Sequence, residues 1–247
     1  METELFYQIE KVENVHWWFS ARKEIILSVI RNQLRLPAQA QILDAGCGTG
    51  VNLEILSRLG IVTGMETDPT ALQMAEWKHV GKVVKGSLPD KIPFPENSFD
   101  LVTLLDVLEH LEQDVESLTA LRKLLKPTGC LLITVPAFPF LWSSHDELNH
   151  HKRRYLLPEL AEKIQNAGLS LMYISYFNTL LFPLVAVMRW LKIKVGCGEG
   201  ANDLWLPPKI VNTLMRKIFA SEKYCIGKKV FPFGVSIIAC AQKPLTC

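Results

Sequence analysis

The sequence predicts an α/β fold built on a doubly wound, mostly parallel sheet. Three observations carry that expectation. Apolar stretches of strand length alternate with helical stripes along most of the chain. Two of those stretches, Phe99 to Leu105 and Cys130 to Val135, are nearly unbroken apolar runs, as expected of strands buried on both faces. The 247 residues, 49% of them hydrophobic, suffice to bury a full core in one domain.

In order along the chain, Ile25, Ile26, Val29, Ile30 and Leu34 form a helical stripe that Pro37 ends. Gln41 to Asp44 reads as the first strand and runs into a glycine-rich turn. Leu53, Leu56 and Leu59 mark the next helix, with Gly60 as its cap. Ile61 to Glu66 is a strand. Asp68 and Pro69 supply a cap and a first-turn proline for a helix through Lys78. Lys82 to Lys85 is a short strand, followed by a loop with Pro89, Pro93 and Pro95. After the strand Phe99 to Leu105, a helix covers about Val115 to Leu125 and ends at Pro127 and Gly129, before the strand Cys130 to Val135. Beyond Pro136 a polar, aromatic loop runs to about Leu157. A helix from Pro158 to Ala167 ends at Gly168, and Leu169 to Ser175 is a strand. Two helices, near Leu180 to Lys194 and Pro208 to Glu222, form an insertion before a last strand, Gly234 to Lys243. The chain is one domain in three parts: residues 1–37 an N-terminal helical segment, 38–135 the sheet core, and 136–247 the loop, insertion and last strand.

A net charge of +2 offers no strongly basic face for nucleic acid. The six cysteines (Cys47, Cys130, Cys197, Cys225, Cys240 and Cys247) form no C-x-x-C pair, so no zinc ribbon or thioredoxin-type centre is expected, and they suit a reducing compartment. No basic stretch followed by an apolar run stands at the start. The most apolar stretch, Leu180 to Leu191, contains Pro183 and Arg189 and is shorter than the roughly 18 to 20 residues of a spanning helix. A cytoplasmic protein with at most peripheral membrane contact is expected.

Asp44, Ala45, Gly46, Cys47, Gly48, Thr49 and Gly50 join the first strand to a helix. Glycines at alternating positions let a ligand approach the backbone. Val51 stands where a dinucleotide G-x-G-x-x-G needs its third glycine, and no G-K-[ST] follows, so both phosphate-binding loops fail. Glu66 ends the next strand, 22 positions after Asp44, where a carboxylate can accept both hydroxyls of a ribose. With no basic phosphate clamp in the turn, an adenosine carrying an amino-acid tail satisfies these constraints: S-adenosylmethionine.

On these residues the sequence resembles the class I S-adenosylmethionine-dependent methyltransferases, over about Gln41 to Val135 and more loosely to the end. The resemblance implies a Rossmann-like sheet, mostly parallel with an antiparallel last strand. It implies that Asp44, Gly46, Cys47, Gly48 and Gly50 hold the methionine part of the cofactor and that Glu66, with Thr67 beside it, takes the ribose. Gly86, Ser87 and Leu88 match the segment beside the adenine, with Ser87 where the family more often has an acid. Leu105, Asp106 and Val107 would line the cofactor, and Leu108, Glu109 and His110 would face the substrate. Leu125 to Gly129 matches the turn before the fifth strand. The H-D-x-L-N-H-x-x-R-R-Y stretch from His145 and the late Pro232, Phe233, Gly234 and Ser236 resemble a bacterial subgroup of the type 11/12 kind.

A sulfonium already activates its methyl group, so the protein must align the reactants and exclude water. An oxygen or nitrogen acceptor of high pKa also needs a general base. His110, one turn after Asp106, and His145 are the expected catalytic residues. His145, Asp146, His150, His151, Arg153, Arg154 and Tyr155 cluster after the fifth strand, where ligands sit in parallel sheets. Trp142, His150 and Tyr155 are expected to touch substrate. The spacing of His145, Asp146 and His150 fits no tight chelate, and no metal is expected.

His16, Trp17, Trp18 and Phe19 cannot all face one side of a helix. The N-terminal segment is expected to be a lid, with Trp17 facing the substrate and Arg22 the cofactor. The insertion is too apolar to be fully solvated. It would be buried or form a substrate wall, a dimer face or a weak membrane contact, and Arg189, Lys192 and Lys194 would suit an anionic membrane.

The expected activity is methyl transfer to oxygen or nitrogen, or to carbon, of a small or lipophilic metabolite, releasing S-adenosylhomocysteine. A monomer or homodimer is expected, and nucleic acid is not expected as a partner. The N-P-P-[YF] motif of exocyclic-amine or glutamine methylation is absent after the fourth strand, where Leu105 to Val107 stand. The alternative is a sensor or partner subunit that binds S-adenosylmethionine without catalysis.

Overall fold

The structure is a computed structural model that describes residues 3–195 and 204–245. Seven strands form one sheet: β1 (Ala40–Ala45), β2 (Gly60–Glu66), β3 (Lys82–Lys85), β4 (Phe99–Leu105), β5 (Leu125–Pro136), β6 (Ser170–Phe177) and β7 (Ser236–Gln242). Their order is β3-β2-β1-β4-β5-β7-β6. The pairings among β1 to β5 are parallel, and β7 runs antiparallel to both β5 and β6. The mostly parallel sheet with its antiparallel last strand is the architecture the sequence predicts.

Nine helices accompany the sheet among the described residues: α1 (Thr3–Val12), α2 (Trp17–Gln33), α3 (Leu53–Ser57), α4 (Pro69–Trp77), α5 (Asp114–Leu124), α6 (Ser144–Leu148), α7 (Leu157–Asn166), α8 (Phe182–Val195) and α9 (Lys209–Ser221). Side chains alternate across a strand, so successive residues enter different cores. Ile42 and Leu101 pack with α2 and α9 on one face, while Leu43 and Val102 pack with α5 and α7 on the other. That two-sided burial is why β4 and β5 read as unbroken apolar runs.

Several boundaries differ from the local reading. The N-terminal segment is two helices, and α2 starts eight residues before the apolar stripe at Ile25, with His16 as its cap accepting the Trp18 N–H. Gly60 is not a helix cap: it opens β2, and a Cβ there would lie 2.1 Å from the Ala40 carbonyl oxygen. The close approach of β1 and β2 therefore explains the glycine. The strand after α5 starts at Leu125 rather than Cys130, because a register shift against β4 absorbs the Lys126–Gly129 bend. The loop after Pro136 contains α6, held by a capping box between Ser143 and Asp146. Five residues are too few to show a helical period.

Two rings of the cluster at positions 16–19 pack against the insertion. Trp17 and Trp18 both meet Phe219 of α9, at centroid distances of 5.9 and 5.1 Å, and Trp18 also stacks on Phe177. Cys47, Cys130, Cys225 and Cys240 are free thiols. Cys197 and Cys247 lie outside the described residues, as do the side chains of Lys192 and Lys194. Among the described residues no helix is long and apolar enough to cross a membrane.

The expected cap of α4 is present: Asp68 Oδ1 accepts the Thr70 and Ala71 N–H groups at 2.8 and 3.0 Å. Asp68→Ala should lower stability by about 1 kcal/mol. An unchanged midpoint in chemical denaturation would show that the cap contributes nothing.

Candidate active site

The site lies at the carboxyl ends of β1, β2, β4 and β5. Behind β1, the Gly46 and Cys47 N–H groups bond the Met65 carbonyl at 2.7 and 3.1 Å, which fixes the start of the glycine turn. Gly48 has φ +55 and open space where a Cβ would stand. Its N–H donates to Glu66 Oε2 at 2.8 Å, while the Thr67 and Asp68 N–H groups donate to Oε1 at 2.7 and 2.9 Å. The Glu66 carboxylate is thus aimed from the tip of β2 by three backbone donors, which leave one of its roughly four lone-pair sites, on Oε2, for a hydroxyl donor.

Asp44 lies beneath the turn and does not reach the cavity. Thr103 donates to its Oδ1 at 2.6 Å, its Oδ2 has no partner among the described residues, and burial pushes its carboxyl up to about 6. Gly50 is also off the cavity wall, packed on Ala75 and Leu53.

Asp106, just past β4, has φ +57. Its Oδ1 accepts from Thr134 Oγ1 at 2.9 Å, and its Oδ2 pairs with Arg22 Nη2 at 2.8 Å. Arg22, 4% exposed, thereby ties α2 to β4 and β5, and its Nε has no partner among the described residues. A second tie reaches the turn itself: Thr49 Oγ1 donates to Glu13 at 2.7 Å, and Glu13 also pairs with Lys78, just after α4.

These elements surround one cavity of about 990 Å³. Of the residues expected at the site, Trp17, Arg22, Gly46, Cys47, Gly48, Glu66, Thr67, Ser87, Leu88, Leu105, Asp106, Val107, His110 and His145 line it. Trp142, His150 and Tyr155 do not. His150 is exposed, on a backbone of φ +56 that turns it outward. Tyr155 is fully buried, its hydroxyl within 3.3 Å of the Leu108 carbonyl and 3.2 Å of Asp114 Oδ2. Trp142 is half-buried behind the wall.

Glu109, from the segment that the resemblance turns toward the substrate, and His151, from the cluster after β5, also line the cavity, although neither was given a role there. His151 Nδ1 lies 2.8 Å from Asp146 Oδ1, and Asp146 also takes a two-pronged bond from Arg154, at 2.8 and 2.9 Å. Burial alone would raise the Asp146 carboxyl; the hydrogen bonds from His151 and Arg154 outweigh it and hold the group well below its ordinary range. The His110 and His151 rings meet edge to face at 4.7 Å. Burial, then the neighbouring His151, pushes His110 down to about 4, so it is neutral near pH 7. Glu109 is fully buried, and neither carboxylate oxygen has a partner among the described residues. Burial, then Asp106, holds its pKa well above the ordinary value. Glu109, His110 and His151 bring one donor atom each within 4.8 Å of one another, a set in which a metal ion would fit.

Residues 43–133 match the family model described as a methyltransferase domain. A ubiquinone biosynthesis O-methyltransferase of Xanthomonas euvesicatoria pv. vesicatoria (strain 85-10) is 30% identical over 186 residues, which cover 64% of this chain and 77% of that protein. The chain belongs to the class I S-adenosylmethionine-dependent methyltransferases. The enzyme of the same description from Xanthomonas axonopodis pv. citri (strain 306) is 32% identical over 158 residues, 56% of this chain and 66% of that one. The fold of this methyltransferase also matches a chain in the complex of the Haloferax volcanii Trm112 methyltransferase activator with a methyltransferase, at a TM-score of 0.66 and 17% identity, covering 99% of this chain and 96% of that chain. Its cofactor is S-adenosylmethionine. The open space beside Gly48, the aimed Glu66 carboxylate and the free Arg22 Nε fit that cofactor's backbone-hugging tail, ribose and carboxylate.

Proposed function

We propose that this methyltransferase methylates a hydroxyl oxygen on an amphiphilic small molecule, with His151 as the general base. The observation that carries this reading is the cavity's mixed wall. It presents Glu109, His110 and His151 together with Leu184, Val185 and Met188 of α8 and Val211 and Met215 of α9. Its volume is at the top of the range for small-molecule sites, enough for a cofactor and a second ligand. The relatives named as ubiquinone biosynthesis O-methyltransferases support an oxygen acceptor with a lipophilic body.

Bound S-adenosylmethionine supplies a methyl group already activated for displacement. In our reading Glu66 takes a ribose hydroxyl, Arg22 Nε takes the methionine carboxylate, and Ser87 and Leu88 flank the adenine. The segment 1–37 acts as a lid, fastened by the bonds of Arg22 to Asp106 and of Glu13 to Thr49. His151 offers Nε2 to the acceptor hydroxyl, because Nδ1 is held by Asp146, and receives its proton as the oxygen attacks the methyl carbon. Neutral His110 orients the acceptor, and His145 closes the same side.

Glu66→Ala should weaken binding of S-adenosylhomocysteine by about 1.5 to 3 kcal/mol in calorimetry, through loss of a charge-assisted contact. Equal affinity would put the ribose elsewhere. Methyl release on paired panels of alkylphenols and alkylamines tests the acceptor; transfer to amines alone would reject the oxygen assignment. The Glu109, His110 and His151 set supports a second reading, in which a divalent cation polarises the acceptor oxygen. Turnover lost on chelation and restored by added magnesium or zinc would favour it over the base.

A further inference from the structure

The apolar wall of the cavity continues outside its mouth. On α8, Leu184, Val187 and Met188 are each about half exposed; around α9, Trp205, Ile210 and Leu214 are 68%, 84% and 56% exposed. Leu184, Met188 and Trp205 are both exposed and part of the cavity lining, and Val211 and Met215 line it from α9, each next in sequence to exposed Ile210 and Leu214. Ile210 and Leu214 are four residues apart, hence neighbours on one helix face, and Lys217 continues that face a turn later. The sequences of α8 and α9 contain no Asp or Glu, while α9 carries Lys209, Arg216 and Lys217, all exposed.

We infer that the exposed apolar face of α8 and α9 docks on an anionic lipid bilayer, with the cavity mouth turned toward the lipid. Arg216 is paired with Glu24 of α2 at 3.1 Å, but Lys209 and Lys217, set among exposed aliphatic and Trp residues, are complementary to anionic headgroups over an acyl layer. A second copy of the chain is the poorer occupant. A two-fold interface centred on α9 would bring Lys209 and Lys217 against their own images without an acid to pair them. The docking rests on the surface alone. Its use, delivery of an amphiphilic acceptor from the bilayer straight into the cavity, rests on the function proposed above.

Flotation of the full chain with vesicles tests the inference. Vesicles of phosphatidylcholine mixed with phosphatidylglycerol should recruit at least about tenfold more protein than phosphatidylcholine alone, and high salt should abolish the difference. Ile210→Asp with Leu214→Asp should end recruitment while leaving affinity for S-adenosylhomocysteine unchanged, and Lys209→Glu with Lys217→Glu should do the same through charge. The inference is overturned if the mixed vesicles recruit nothing, or if neither paired variant reduces recruitment. It is equally overturned by a concentration-dependent dimer that Ile210→Asp dissolves while vesicles stay bare. Turnover of a short, water-soluble phenol without vesicles reads the acceptor assignment separately, so failure of one reading does not mask the other.

Discussion

His151→Ala is expected to lower turnover by about 10²- to 10⁴-fold, the usual contribution of a positioned general base, with affinity for S-adenosylhomocysteine unchanged. The expectation follows from what surrounds the ring. Asp146 holds Nδ1 at 2.8 Å, which leaves Nε2 as the basic nitrogen of a ring that lines the cavity. Glu66, the glycine turn and Arg22 do not contact His151, so cofactor binding has no reason to change. His110 is the competing base, but a group pushed down to about 4 is a weak proton acceptor. Steady-state rates of the parent and of His151→Ala, with His110→Ala and His145→Ala beside them, decide the matter. If His151→Ala keeps the parent rate and His110→Ala loses it, the base has been misassigned.

The cofactor half of the site was readable because its signals are local. The turn from Asp44 to Gly50 lies between one strand and one helix, and Glu66 stands at the next strand tip, so spacing alone orders them. The acceptor half is set by contacts no local period reports. His150 and His151 are adjacent, and which one enters the cavity is decided by the left-handed backbone at His150. Trp17 and Trp18 were legible as an anomaly, yet their partner Phe219 lies some two hundred positions away in the insertion. Tyr155, expected to touch substrate from its place in the loop after the fifth strand, is core: its hydroxyl is satisfied under the Leu108–His110 turn. Glu109 was visible only as part of the segment after β4. Its orphaned, buried carboxylate is a tertiary fact.

Asp146→Ala should cost about 3 to 5 kcal/mol of folding stability, because it removes one partner of a buried ion pair and strands the other. Asp146 is fully buried and Arg154 is 4% exposed. Without the carboxylate, Arg154 keeps, among the described residues, the Ala137 carbonyl at 3.0 Å as its hydrogen-bond partner, with the positive charge of Arg189 nearby. The capping box of α6 is lost as well, since Asp146 Oδ2 accepts the Ser143 N–H. The sign of the pH dependence is fixed by the lowered Asp146 pKa. A carboxyl whose folded pKa lies below its ordinary 3.8 contributes stability that is complete above that value and lost as pH falls further. The loss on substitution is therefore fully present at pH 7, where it should appear as a fall in Tm of roughly 6 to 20 °C. Replacing both ions together, Asp146→Leu with Arg154→Met, should recover most of that loss, since no unpaired charge is then buried. Chemical denaturation of the single and double variants distinguishes this cause from mere loss of packing. If the double variant is less stable than Asp146→Ala, the stranded guanidinium is not the source of the cost, and the role of Asp146 reduces to capping α6 and holding His151.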